Sequence, residues 1–116
     1  MNINIKGTGI ELTDAIKQYV NEKFGDLDKF FDNIQKADVD IGMNSQHHNK
    51  GKIYYAEANI HVPGNDIRVV KEAEDLYKAI DKVRDHLKSE LKEHKDKLNR
   101  VNKKELRDVK EYDAEE

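Results

Sequence analysis

Residues 54–71, YYAEANIHVPGNDIRVVK, contain the pattern that decides the fold. Apolar residues alternate with polar ones from Tyr54 to Val62, which is the period of a strand with one buried face. Residues 63–66, PGND, are a string of turn-forming residues, and a second β-rich run follows at residues 67–71. Because a tight turn joins the two runs, they predict neighbouring antiparallel strands.

Two further alternating segments lie on the N-terminal side of this pair. Residues 37–43 alternate in the same way, and a polar loop at residues 44–52 joins them to the run that starts at Tyr54, which predicts a second antiparallel pair. Ile3 and Ile5 alternate with polar neighbours before a glycine-containing turn, which predicts a short first strand. The sequence therefore predicts four strands.

Helical spacing appears in two segments. Thr13 is a candidate N-cap with Asp14 in the first turn, and the apolar residues after it predict an amphipathic helix from about residue 14 to about residue 31. A second apolar series starts near Glu74 and predicts a helix of about 25 residues. Residues 101–116 keep their charge but lose this spacing, so we expect a charged, disordered C-terminal tail.

The order β-α-β-β-β-α predicts an α+β fold. In this fold a four-stranded, mostly antiparallel sheet carries two helices packed on one face. A chain of 116 residues can bury one modest core, so residues 1–100 are expected to form a single domain.

The composition restricts the possible functions. With 36% hydrophobic and 39% charged residues, we expect a thin core beneath charged surfaces. The absence of cysteine excludes disulfides and thiolate chemistry. No segment has the length and apolar character of a membrane span or an export signal, which predicts a cytoplasmic protein without a membrane partner. A net charge of −3 means that nucleic-acid binding would require clustered cations.

The second helix separates its charges across its width. On a wheel of roughly 100° per residue, Arg84, Lys88 and Lys95 fall within about 40° of one another and of Tyr77. The acids at positions 85, 93 and 96 fall on a different sector. Two interpretations remain open: a solvated helix with acid–base pairs, such as Asp81 with Arg84, or a stripe that binds phosphates.

Lys23 is the unusual residue of the first helix, because it lies inside the apolar arc, where a charge is costly. In one interpretation its side chain extends past the edge of the sheet and keeps the ammonium in water. In the other, the ammonium points into the seam between the helices, toward a bound phosphate. Lys17 and Lys29 flank the arc on opposite sides.

Patterns for catalysis or metal binding are missing. The sequence has no nucleophile elbow and no phosphate-binding glycine loop, so we expect neither an enzyme nor a small-molecule substrate. His47 and His48 are adjacent in a loop and lack a third ligand at a recognisable spacing, so no metal and no cofactor are expected. His94 falls in the apolar arc and is expected at the edge of the core.

Four stretches resemble the bacterial ribosome hibernation-promoting factors and ribosome-associated translation inhibitors: residues 2–5, 11–16, 27–31 and 74–81. The sequence EDLYKAID at residues 74–81 is the most specific of them, and the resemblance extends over residues 2–100. It implies a fold akin to double-stranded-RNA-binding domains, placed in the decoding channel of the small subunit. There the protein would contact rRNA and block messenger and transfer RNA sterically, without cofactor or turnover.

The resemblance also implies which residues contact rRNA. Basic positions of the family are matched here by Lys17, Lys23, Lys29, Lys95, Lys97 and Arg100. Other positions that are usually basic in the family carry Asp26, His86, Ser89 and Glu93 in this chain. Three further cations come from the helical wheel rather than from the family, and we expect them to compensate: Arg84, Lys88 and Lys92.

The expected partners are small-subunit rRNA and neighbouring ribosomal proteins. The chain resembles the short forms of the family, because it lacks the extra domain with which long forms pair ribosomes, although a fragment of a longer factor is an alternative. Its acidic tail favours silencing of single ribosomes. Two rival functions remain: a general double-stranded-RNA-binding module, and a protein–protein adaptor that uses the acidic face and tail.

Overall fold

The computed structural model describes residues 1–44 and 53–114, with side chains described up to residue 100. The elements are β1 (Asn2–Thr8), α1 (Asp14–Gly25), the 3-10 helix η1 (Asp26–Lys29), β2 (Lys36–Asn44), β3 (Ile53–Val62), β4 (Asn65–Ala73) and α2 (Leu76–Ala114). The predicted α+β order β-α-β-β-β-α is confirmed. The loop predicted between β2 and β3 lies largely outside the described residues.

The four strands form one mixed sheet in the order β1-β2-β3-β4. β2 pairs with β3, and β3 with β4, in antiparallel orientation, while β1 pairs with β2 in parallel, with Ile3 opposite Ala37. Parallel strands need a long crossover, and α1 with η1 supplies it here. The prediction of a mostly antiparallel sheet is therefore confirmed, with one parallel pair at the N-terminal edge.

Two glycines meet steric requirements of the sheet. Pro63 and Gly64 form the turn between β3 and β4, and Gly64 has a φ of 78°, which is strained for residues with a Cβ. Gly42 lies beside β1, where an added Cβ would overlap the carbonyl oxygen of Thr8 and the ring of Tyr55. These positions explain why β2 and the β3–β4 turn each carry glycine.

The core lies between one face of the sheet and the two helices. The buried strand residues include three alanines, Ala37, Ala56 and Ala58, whose small side chains allow the helices to approach the sheet closely. Burial of a large apolar side chain stabilises the fold by about 1.5–3 kcal/mol relative to leaving it exposed to water. The helices contribute the buried residues Ile16, Val20, Phe24, Leu76, Ala79, Ile80, Val83, Leu87 and Leu91.

Helix α1 begins as predicted and ends earlier than predicted. The Thr13 hydroxyl accepts a hydrogen bond from the backbone N–H of Ile16 at 3.2 Å, which confirms the N-cap. The α-helix ends at Gly25, a poor helix former, and continues as η1. The tighter turn places Leu27 and Phe31 in the core, so the prediction of a regular helix to about residue 31 was wrong beyond Gly25.

Helix α2 starts after Asp75, whose carboxylate accepts a hydrogen bond from the backbone N–H of Tyr77 at 2.7 Å. The helix spans 39 residues, longer than the predicted length, and Leu91 is the last fully buried residue among its described side chains. The division of the chain at residue 100 stays a prediction. Over the described residues, no helix combines the length and apolar character needed to cross a membrane.

Candidate nucleic-acid interface

The seam between α1 and α2 contains Lys23. Its ammonium lies 3.6 Å from Asp81 Oδ1 and 5.4 Å from the centre of the Tyr19 ring. The side chain is 40% exposed, so this ion pair is screened by water and contributes less than about 1 kcal/mol. The Lys23 ammonium thus lies at the helix seam and is still partly in water, and the bound phosphate of the second interpretation stays a prediction.

Tyr19 and Asp81 connect the two helices. The Tyr19 hydroxyl donates a hydrogen bond to Asp81 Oδ1 at 2.6 Å. This hydrogen bond, together with burial and the charge of Asp81, raises the pKa of Tyr19 to about 12. Tyr19 also packs edge-on against Tyr77 of α2, with ring centres 4.8 Å apart. Asp81 is therefore held by donors from both Tyr19 and Lys23 of α1.

Three cations of α2 surround one aromatic ring. Phe30, at the end of η1, is half-buried, and the Lys88 ammonium lies 4.9 Å from the centre of its ring. The corresponding distances are 5.2 Å for Lys92 Nζ and 5.7 Å for Arg84 Cζ. The three residues are four positions apart, so they occupy one stripe of the helix. We refer to Arg84, Lys88 and Lys92 as the cation row.

The Arg84 side chain of the cation row is only 19% exposed. Its guanidinium lies 3.8 Å from Asp26 and 3.3 Å from Asp85, and not against Asp81 as the simple helix-pair interpretation had it. Its Nε is buried without a hydrogen-bond partner among the described residues. Within that same part of the chain, Lys88 and Lys92 form no ion pair, so their charges are not neutralised.

The other two lysines predicted on the first helix lie outside the cation row. Lys17 is exposed on α1 and forms no ion pair with any described residue. Lys29, in η1, is 76% exposed and lies 3.6 Å from Asp26. The structure therefore brings Lys23 into the helix seam and leaves Lys17 and Lys29 on the surface around it.

The cations predicted near the end of the second helix are exposed beyond the sheet. Lys95 carries no ion pair among the described residues. The Lys97 ammonium lies 3.9 Å from Glu93, and Arg100 Nε donates to the backbone oxygen of Asp96 at 3.4 Å. This part of α2 follows Leu91, the last buried leucine among the described side chains, so its cations lie farther along the same helix than the cation row.

The four positions where the resemblance implies basic residues have other local contacts here. Asp26 contacts both Lys29 and Arg84, and Glu93 contacts Lys97, so each of these acids reduces the positive charge of a neighbour. His86 Nε2 lies 3.2 Å from Glu90, and the Ser89 hydroxyl donates to a backbone oxygen of its own helix. Lys88 and Lys92, like Lys95, keep charges that no described carboxylate pairs.

The open face of the sheet lies opposite the helices and carries more acids than cations among the described residues; its cations are Lys6, Lys36 and Arg68. The acidic side chains on this face are Asp38, Asp40, Glu57, Asp66 and Glu72. A shallow groove of about 400 Å³ lies among Asn4, Lys6, Asp38, Asp40, Glu57 and Asn59. Acids therefore outnumber cations on the open sheet face, whereas the helix side carries the cation row.

The described histidines do not assemble a metal site. His94 is half-buried beside Phe31, with ring centres 5.2 Å apart, which places it at the edge of the core, and its Nε2 has no hydrogen-bond partner among the described residues. In the same part of the chain, no group of three or more possible ligands is arranged to hold a metal ion. His47 and His48 lie outside the described residues.

Sequence reasoning did not identify two residues of this surface. Phe30 was counted only as part of the apolar arc, and Asp81 only as a partner for Arg84. The spacing of Arg84, Lys88 and Lys92 was visible in the sequence, but the ring beside them belongs to Phe30, which follows η1 and lies outside α2. A helical wheel describes one helix at a time, so it could not show this contact.

Comparison with known proteins supports a single family. Residues 3–99 match the family described as "Sigma 54 modulation protein / S30EA ribosomal protein". The "Ribosome hibernation promoting factor" of Escherichia coli K12 is 36% identical over 98 residues, which cover 84% of this chain and 97% of that protein. The "Ribosome hibernation promotion factor" of Bacillus subtilis 168 is 34% identical, over 86% of this chain and 51% of that protein.

Solved structures have the same fold. The N-terminal domain of Protein Y from Thermus thermophilus is 35% identical, with a TM-score of 0.71 over 81% of this chain and 99% of that one. A ribosomal subunit interface protein from Coxiella burnetii, 23% identical with a TM-score of 0.69 over 82% of this chain and 98% of that one, shows the fold. The resemblance found in the sequence is thus confirmed: this chain belongs to the sigma 54 modulation protein / S30EA ribosomal protein family.

Proposed function

We propose that this protein binds the rRNA of the small ribosomal subunit and keeps the ribosome in a hibernating state. The observation that carries the proposal is the cation row, which places three positive charges along one stripe of α2. Relatives that this chain matches over nearly their whole length are named ribosome hibernation promoting factors. A ribosome partner would place the protein in the cytoplasm.

Charge segregation supports RNA as the ligand. Lysines that approach phosphates release counterions, and this gain depends on local charge rather than on net charge. The open face of the sheet has more acids than cations and would be repelled by RNA, so the protein would bind with its cation row toward the rRNA. In the decoding channel, such a bound domain would exclude messenger and transfer RNA by occupying their space. This mechanism requires no cofactor and no bond cleavage.

The contacts of this chain are expected to centre on the helix seam. Asp26 and Glu93 reduce the charge of nearby cations, whereas Lys88 and Lys92 keep theirs. Phosphate contacts would therefore shift around α2 toward the cation row and Lys23. Neighbouring ribosomal proteins would contact the surfaces that remain exposed.

Charge reversal on α2 should abolish binding to small subunits. We expect the wild-type chain to co-sediment with isolated small subunits and not with large ones. If the chain contacts about four phosphates, an increase of salt from about 50 to about 200 mM should weaken binding about a hundredfold. The combined variant Arg84→Glu, Lys88→Glu and Lys95→Glu should lose binding even at low salt, because repulsion replaces attraction.

A matched control reverses three cations on the open sheet face: Lys6→Glu, Lys36→Glu and Arg68→Glu. The two triple variants have the same net charge, so only the position of the charges differs. Equal binding by wild type and the α2 variant at low salt would contradict the proposal, as would equal losses in both variants.

The rival functions predict different outcomes in the same assay. A general double-stranded-RNA-binding module would stay on a generic RNA duplex when ribosomes are added as competitor, whereas we expect ribosomes to remove the chain from the duplex. A protein–protein adaptor would bind with weak salt dependence and would carry no RNA in its purified complex. Either result would replace the proposed function.

A further inference from the structure

We propose that Phe30 is a positioning residue that holds Arg84, Lys88 and Lys92 as a preassembled row for consecutive phosphates of rRNA. The inference rests on the proposed function and assigns a role to an uncharged residue of that surface. All three cationic groups lie between 4.9 and 5.7 Å from the centre of the same ring. This shared contact is the observation from which the inference starts.

The ring reduces the repulsion within the row. Like charges four residues apart on a helix destabilise one another, and long lysine side chains would otherwise separate in water. The face of an aromatic ring carries partial negative charge and attracts cations within about 6 Å. One ring between the three groups therefore favours conformations in which the charges remain together.

The ring itself is held in place by its neighbours. The backbone N–H of Phe30 donates to the carbonyl oxygen of Leu27 at 3.0 Å, which closes the 3-10 turn. Leu27 is fully buried and Phe31 is 7% exposed, so both residues anchor the segment in the core. Because its backbone is fixed, Phe30 can order mobile cations without becoming mobile itself.

Preassembly would lower the entropy cost of RNA binding. Lysine and arginine side chains lose rotamer freedom when they bind a phosphate, and a row that is already ordered loses less. Residues four apart on a helix are separated by about 6 Å along its axis, so the row is straight and regularly spaced. Regular cations suit a phosphate backbone, which positions a protein without reading sequence.

The two lysines and the arginine have different parts in this row. Arg84 is fixed at one end by Asp26 and Asp85, so it anchors the row more than it contributes free charge. Lys88 and Lys92 have no carboxylate partner among the described residues and stay available to phosphates. The ring is their main constraint, so removal of the ring should affect these two lysines most.

Substitution of the ring at constant charge tests the inference. Phe30→Leu should lower the affinity for small subunits about tenfold, because the two or three cation–ring contacts are lost together. The slope of log affinity against log salt should stay close to that of wild type, since the number of phosphate contacts is unchanged. Phe30→Tyr keeps an aromatic face and should restore binding to within about twofold of wild type.

Phe31→Leu is the matched control, because it removes a neighbouring ring that faces the core and contacts no lysine or arginine among the described residues. It should bind like wild type at a temperature where both variants are folded by circular dichroism. If Phe30→Leu and wild type bound small subunits with equal affinity, the role of Phe30 would be overturned while the proposed function would stand. Equal losses of affinity in Phe30→Leu and Phe31→Leu would have the same meaning. Failure of wild type to bind small subunits would instead overturn the proposed function.

A second measurement examines the free protein and does not depend on ribosomes. The ring current of Phe30 should move the side-chain methylene proton resonances of Lys88 and Lys92 upfield in the NMR spectrum. Phe30→Leu should return them to ordinary lysine positions, whereas Phe30→Tyr should keep the displacement. Lysine resonances that are the same in wild type and Phe30→Leu would show that the ring does not hold the row, and would overturn the inference.

Discussion

His61 lies between two carboxylates on the open face of the sheet, one from each neighbouring strand. Its Nε2 is 3.1 Å from Asp38 of β2, and its Nδ1 is 3.0 Å from Asp66 of β4. Only the protonated ring can donate from both nitrogens at once. The hydrogen bond to Asp38 therefore raises the pKa of His61, burial opposes this shift, and Asp66 adds to it. Lys36, opposite His61 in the β2–β3 register, adds a positive charge to the group.

His61→Gln should destabilise the protein more in mild acid than in mild alkali. A raised folded-state pKa contributes stability that is complete below the unfolded value of 6.5 and is lost as pH rises through the folded pKa. Burial would raise the pKa of Asp38, but hydrogen bonds from Asn4 and His61 lower it, so its contribution is lost only in stronger acid. Urea unfolding of both proteins at about pH 5.5 and about pH 8.5 measures the difference. The same loss at both pH values would contradict the prediction.

Single residues were predictable where one element determines their surroundings. Thr13 was identified as an N-cap because its role depends only on the next three residues. Lys23 was identified as unusual from the wheel of α1, but its partner Asp81 comes from α2. Phe30 was missed for the same reason, since three residues of another helix give it a function. Contacts between elements depend on packing that no local pattern contains.

At the scale of elements, Asp81 links α1 to α2 and places a negative charge within the basic surface. Asp81→Asn should lower the pKa of Tyr19 from about 12 toward its ordinary value of 10.0, because the carboxylate that favours the protonated phenol is gone. The variant should also bind small subunits more tightly, since Lys23 loses its competing partner and phosphates are no longer repelled. NMR titration of the tyrosine rings and co-sedimentation measure the two effects.

Asp85→Asn is the control for the tyrosine titration. It removes the same charge from a more exposed position of α2 whose carboxylate contacts Arg84 rather than Tyr19. It should leave the pKa of Tyr19 near 12. If Asp81→Asn left the pKa of Tyr19 unchanged as well, Asp81 would not be the cause of its high value.

The kinds and order of the elements were predictable, and some of their ends were not. Alternation and helical spacing identify four strands and two helices because each element buries one face. The end of α1 at Gly25 was missed, since the apolar spacing continues through Leu27 and Phe31 while the backbone changes to a 3-10 turn. An α-helical turn and a 3-10 turn would direct the side chains of Leu27 and Phe31 differently into the core. The packing of the sheet beneath them decides which turn fits.

At the scale of the whole molecule, the C-terminal segment adds more acid than base. Residues 101–116 contain four lysines and arginines and six aspartates and glutamates. We expect this segment to oppose close contact between two ribosomes, which are themselves negatively charged. The full chain should therefore give single idle ribosomes in sucrose-gradient profiles, and removal of residues 101–116 should produce a peak of paired ribosomes.

A variant of unchanged length separates charge from bulk. Neutralisation of the acids at positions 111, 113, 115 and 116 should also increase pairing, although less than deletion does. Paired ribosomes with the full chain, or identical profiles for all three proteins, would contradict this role of the segment.

The one parallel strand pair has a consequence for the assembly of the molecule. Pairing between β2, β3 and β4 joins segments that are close in the chain, whereas Ile3 meets Ala37 only after α1 and η1 have been crossed. Closing a loop over such a distance in the chain costs entropy before contacts between β1 and β2 can offset that cost. β1 is therefore expected to join last during folding and to detach first under stress. The N-terminal strand would then be the segment whose release opens the edge of β2 to another chain.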